Sequence, residues 1–221
     1  MTVKHVELKQ QIIAVCRRLE AIGFTIGTYG NVSARVPEGL IVTPSRVDYA
    51  ILVPEDMVTV DLDGHVVNGT RLPSSETDVH RLIYVARADV GAVIHSHSLC
   101  ATALSCMHDT IPVIVEEQSQ VVGDEIRCTN YIPAGQHEAL GKEVARCLGH
   151  SNAVLLANHG TASCGRDLAE AMFTCQIVER VAQMRLLISA SGGAVSIPTE
   201  YVISERERWL YKYGTAADRQ H

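Results

Sequence analysis

The stretch Ala92-Val93-Ile94-His95-Ser96-His97-Ser98 constrains this chain most: a short apolar run ending in two histidines one residue apart. Side chains two apart on a strand point to the same face, so His95 and His97 can present their imidazoles to one small object. A divalent metal is the obvious object, although a His-x-His pair by itself also occurs as hydrogen-bonded core or surface residues.

The rest of the composition limits what that object can serve. With 221 residues, 47% hydrophobic and 20% charged, the chain suits one globular domain over 1–221 with a full core. A net charge of -6 and a pI near 5.9 give no general attraction to nucleic acid or to an anionic membrane. Any phosphate must therefore be bound locally, which points to a small anionic ligand. The seven cysteines are scattered and contain no C-x-x-C pair, so they read as reduced thiols in a cytoplasmic protein rather than a disulfide or zinc framework. The N-terminus is polar, and no apolar run approaches the roughly 20 residues of a membrane helix.

Along the chain, Ile12, Val15, Cys16, Leu19 and Ile22 recur at helical spacing before Gly23. The loop from Thr25 to Ser33 interleaves glycines with small hydroxyl and amide residues, a pattern that fits a plain turn and also an anion-binding loop with open backbone N–H groups. Residues 39–43 read as a strand running into Pro44-Ser45-Arg46, and residues 57–68 as a hairpin around Asp63-Gly64. Pro73-Ser74-Ser75-Glu76 opens a helix; two serines there are ordinary caps, and they are also what a phosphate wants at a positive helix end. Further strands are expected at 111–115, 126–131 and 153–157, the last delivering Asn158-His159-Gly160. Helices are expected at 99–107, 138–148 and 167–190, and Ser204-Glu205-Arg206-Glu207 reads as a capping box starting a last helix with Trp209, Tyr211 and Tyr213.

Gly30-Asn31-Val32-Ser33, Thr43-Pro44-Ser45, Pro73-Ser74-Ser75-Glu76, His95-Ser96-His97 and Asn158-His159-Gly160 stand in one order along the chain. Together they resemble the class II aldolase/adducin family, and the fuculose-phosphate aldolase-like members are closest in pattern, over residues 5 to 215. The resemblance implies a three-layer α/β/α fold around a large, mainly antiparallel sheet, assembled as a homotetramer with sites between subunits. It implies one zinc ion per subunit on His95, His97 and His159, with Glu76 as a displaceable fourth ligand and proton carrier. Thr28, Asn31, Ser45, Ser74 and Ser75 match the family's phosphate cradle, and Tyr131 and Tyr213 fall where its aldolases carry tyrosines that approach the site.

Two departures stand out. Arg46 replaces the glycine that usually follows the cradle hydroxyl, and a guanidinium there can grip a phosphate or a carboxylate, or turn outward. Glu116 stands where the aldolases of the family keep a proton-donating tyrosine, either as the acid–base group or as a solvated side chain. The leading expectation is a zinc-dependent aldolase that cleaves a small ketose phosphate through an enediolate, releasing dihydroxyacetone phosphate and an aldehyde. Next come a decarboxylase of a 3-oxo-acid phosphate, then a pentulose-phosphate epimerase, disfavoured by the absence of an H-A-D-Y run. A non-catalytic adducin-like interaction domain comes last, because a scaffold has no use for the full ligand set.

Overall fold

The structure is a computed structural model and describes residues 5–190 and 192–213. β1 (Asn31–Val36) and β2 (Gly39–Val42) form one hairpin, and β3 (Val58–Val60) and β4 (Val66–Asn68) form another. β5 (Ala92–Ser96) carries the histidine motif along the other edge of β1. With β6 (Arg127–Cys128), β7 (Ala153–Leu156) and β8 (Gly160–Gly165) these make one eight-stranded sheet in the order β4-β3-β2-β1-β5-β8-β7-β6. Every pairing is antiparallel except β6 with β7.

The helices are α1 (Val6–Ala21), α2 (Thr77–Ala86), α3 (Leu99–Ser105), α4 (His137–Leu148), α5 (Leu168–Ser189) and α6 (Thr199–Tyr211). The alternation of β5 sorts them into two layers. Val93 packs with Val79 and Ile83 of α2 and Val144 of α4. Its neighbours Ala92 and Ile94 face the opposite way, onto Ile12 and Cys16 of α1 and Ala171 and Cys175 of α5. Leu104 of α3 and Val178 of α5 cover Leu155 of β7 on that same side. The result is the expected α/β/α arrangement. All five residues of β5 are buried, and each Val or Ile so placed contributes about 1.5 to 3 kcal/mol. No helix is long and apolar enough to cross a membrane among the described residues.

Several local expectations are corrected. The expected strand at 111–115 reduces to a single bridge between Ile111 and Ile126, because Pro112 has no N–H to continue a ladder. A π-helical turn, Gln118–Val122, follows it. The strand at 126–131 stops at Cys128, and the Asn130 N–H goes to the Glu143 carboxylate at 3.0 Å rather than to a neighbouring strand. β8 was not anticipated. The last helix begins at Thr199 after Pro198, so Ser204 lies inside it, with its hydroxyl donating back to the Tyr201 carbonyl at 3.0 Å instead of capping an N-terminus.

Candidate active site

The register of the central strands assembles the site. Asn31 of β1 sits opposite His95 of β5, and His95 sits opposite Ala162 of β8. His97 lies just past the end of β5, its N–H donating to the Phe24 carbonyl at 2.9 Å. His159 occupies the tight turn between β7 and β8, where Asn158 takes a left-handed φ of 55°. Gly160 must be glycine for that turn to close, since a Cβ there would lie 2.5 Å from the Ser96 carbonyl oxygen and 3.4 Å from the His95 ring.

The three imidazoles converge. Ring centroids are 4.8 Å apart for His95 with His97 and with His159, and 5.0 Å for His97 with His159. Their ligating nitrogens lie within 4.8 Å of one another. His95 Nδ1 donates to the Thr161 carbonyl at 2.9 Å, which leaves Nε2 with its lone pair facing the cluster. Burial lowers the His95 pKa and holds His97 down to about 3, which favours the neutral form that a metal ligand must take. Glu76 closes the group, with Oε1 at 3.1 Å from His159 Nε2 and Oε2 at 3.3 Å from His95 Nε2. Burial alone would raise its carboxyl, but charge on His95, the contact with His159 and the Asn31 amide outweigh it and hold it well below the usual carboxylate range. Three imidazoles, one of them with its tautomer set, and an adjacent carboxylate fit a divalent metal with one exchangeable position.

Beside the cluster a cleft of about 450 Å³ opens, and Glu76, His97 and His159 line it. The Thr43-Pro44-Ser45 and Pro73-Ser74-Ser75 segments run antiparallel along one wall, tied by Ser74 N–H to the Thr43 carbonyl at 3.0 Å and Ser45 N–H to the Leu72 carbonyl at 2.9 Å. Thr28, Asn31, Ser45, Arg46, Ser74 and Ser75 all line this cleft, so every residue of the expected cradle is brought together. Arg46 does so with a left-handed φ of 58°, a conformation that costs a side-chain-bearing residue about 1 to 2 kcal/mol. Tyr131 and the turn leading to the start of α4 form part of the cleft lining.

Two expected acid–base residues lie elsewhere. Glu116 is exposed on the segment before the π-helical turn and does not line the cleft. Tyr213 stacks on Trp209 at 4.8 Å, beyond the end of α6, and is likewise absent from the cleft. The sequence reading missed Tyr29, which lines the cleft with its ring 5.7 Å from that of His97. The available signal was an aromatic residue set between the two glycines of a loop already suspected of binding an anion. It also missed His80 and Tyr84, buried behind Glu76, whose helical i, i+4 spacing on the inner side of α2 was readable.

This cluster in this fold defines a class of protein, and comparison with known proteins agrees. Residues 10–186 match the model of the Class II Aldolase and Adducin N-terminal domain. L-fuculose phosphate aldolase of Haemophilus influenzae is 37% identical over 187 residues, covering 84% of this chain and 85% of that protein. A 5-methylthioribulose-1-phosphate/5-deoxyribulose-1-phosphate aldolase of Rhodospirillum rubrum is 33% identical over 97% of this chain and 94% of its own length. A solved L-fuculose 1-phosphate aldolase superposes with a TM-score of 0.90 at 31% identity, covering 95% of this chain and 99% of that one. The chain belongs to the class II aldolase/adducin family. It is an enzyme of the aldolase type, a lyase, and its three-histidine cluster can hold the metal on which such enzymes depend.

Proposed function

We propose that the enzyme is a zinc-dependent aldolase acting on a small ketose phosphate, with dihydroxyacetone phosphate and an aldehyde as the cleavage products. The observation that carries this reading is that one cleft is lined both by His97, His159 and Glu76 of the cluster and by the hydroxyl-bearing loops of Ser45, Ser74 and Ser75. A zinc ion on His95, His97 and His159 supplies a Lewis acid that stabilises negative charge on the substrate's carbonyl and neighbouring oxygens.

The protein's own groups do the rest. Asn31, Ser45, Ser74 and Ser75, with Thr28, bind the phosphate through neutral donors, and Arg46 adds a guanidinium charge beside them. Glu76 carries the proton to and from the carbon whose bond breaks, and its depressed pKa keeps it ready to accept one at neutral pH. Tyr29 and Tyr131 are phenols of this same chain that line the cleft. Glu116 and Tyr213 would serve such a cleft only if a neighbouring copy supplied them, as the homotetramer implied by the family resemblance would allow. The seven free thiols support a cytoplasmic setting.

Arg46 favours a second reading, decarboxylation of a 3-oxo-acid phosphate, because a guanidinium at the cleft can recognise the extra carboxylate. The test is a panel of phosphorylated ketoses and 3-oxo acids given to the zinc-loaded enzyme. Release of dihydroxyacetone phosphate is expected; release of carbon dioxide without it would establish the decarboxylase instead, and neither product from any member would overturn both.

A further inference from the structure

Behind the metal cluster lies a line of buried polar groups of which the chemistry above uses only the near end, Glu76 and Asn31. His80, one helical turn beyond Glu76 on α2, is completely buried. Its Nε2 meets Asn31 Oδ1 at 2.5 Å, and its Nδ1 meets Ser33 Oγ at 2.7 Å. Ser33 Oγ in turn meets the Tyr84 hydroxyl at 2.8 Å, and Asn31 Nδ2 donates to Glu76 Oε2 at 2.8 Å. Asn31 and Ser33 share a face of β1, two residues apart, while His80 and Tyr84 share a face of α2, four apart.

The charge at one end sets the direction of every link. An ionised Glu76 can only accept, so Asn31 must turn its NH₂ toward it and its carbonyl toward His80. His80 must then carry its proton on Nε2 and offer a bare Nδ1. Ser33 donates to that nitrogen, and Tyr84 donates to Ser33. Without His80 the Asn31 carbonyl loses its buried donor and the amide is held from the Glu76 side alone, while a flipped amide would set two acceptors, Oδ1 and Glu76 Oε2, against each other.

We propose that His80 is a positioning residue that, by locking the Asn31 amide, holds the Glu76 carboxylate at the metal cluster. The proposal rests on the reading of that cluster as a zinc site. Outer hydrogen bonds of this kind are typically worth about 10- to 100-fold in metal affinity or activity.

The experiment titrates zinc alone against a competing chelator in the full-length wild type, His80→Leu, His80→Gln and Ser33→Ala, with folding checked by circular dichroism and thermal melting. His80→Leu is expected to weaken zinc binding about 10- to 100-fold and to lower kcat with little change in KM for the phosphorylated substrate. His80→Gln, whose amide can donate to Asn31 and accept from Ser33, should recover most of both. A folded His80→Leu protein with wild-type zinc affinity, or a Gln variant no better than Leu, would overturn the relay. If the Leu protein does not fold, Ser33→Ala decides: weakened zinc binding supports the relay, and wild-type affinity refutes it. A wild-type chain that binds no zinc at all overturns the zinc reading itself, and the relay with it.

Discussion

The Nε2 atoms of His95 and His97 lie 2.9 Å apart. His95 spends its ring proton on the Thr161 carbonyl, so its Nε2 meets the other ring with a lone pair, which can accept the His97 N–H in the metal-free chain and is equally placed to ligate a cation. His97→Ala is therefore expected to lose most bound metal and activity while its fold persists, since His97 is only partly buried and lies past the end of the strand. Elemental analysis of the dialysed variant checks this, and full metal content would remove His97 from the ligand set.

Ser75 and Arg46 line the same cleft, and on the proposed function they bind the same anion in different ways. Ser75→Ala removes one neutral contact to a dianion, which should cost about 1.5 to 3 kcal/mol, or roughly tenfold and upward in KM. Arg46→Gly and Arg46→Ala should both raise KM, but the glycine variant should be more stable than the alanine one by about 1 kcal/mol, because only glycine adopts the left-handed φ of 58° freely. KM ratios for phosphorylated and unphosphorylated substrate, together with urea unfolding, separate these effects. Equal ratios in Ser75→Ala and wild type would move the cradle elsewhere.

Glu116 faces solvent in a single chain, so its role as acid or base depends on a second copy. Glu116→Gln is expected to keep zinc and substrate binding yet lower turnover about 100-fold or more. Mixing that variant with inactive His97→Ala under subunit exchange should restore activity, because a hybrid can pair an intact Glu116 with an intact metal cluster. Turnover of Glu116→Gln within a few-fold of wild type would pass the proton work to Tyr131.

Acid should weaken the metal-free protein in a way that His80 explains in part. Burial pushes its folded pKa down from 6.5 to about 3, so below pH 6.5 the unfolded chain takes up a proton that the folded chain refuses. Its stabilising contribution is complete above 6.5 and is lost progressively as the pH falls toward 3, the loss amounting to about 2 kcal/mol by roughly pH 5. His97, held down to about 3, acts in the same direction. Urea midpoints across this range should fall less steeply in His80→Gln than in wild type, and parallel slopes would show that His80 titrates freely.

The strand that carries His95 and leads into His97 was readable because its period of two puts alternate residues on one face, a property of the backbone alone, although it ends at Ser96. Helices with an apolar stripe, such as α1 and α2, were readable for the same local reason. β8 was not, because Gly160-Thr161-Ala162-Ser163-Cys164-Gly165 is buried on both faces by small residues and shows no alternation. His95 and His97 were metal candidates from their spacing alone, whereas the full ligand set, with His159 and Glu76, entered through family resemblance. What only the tertiary structure decided is which side chains meet. The pairing of β1, β5 and β8 sets Asn31, His95 and the turn of His159 side by side, α2 lays Glu76 and His80 across them, and the same packing turns Glu116 and Tyr213 away. Those contacts join residues far apart in sequence, so their geometry follows from sheet order and helix docking, which no local periodicity encodes.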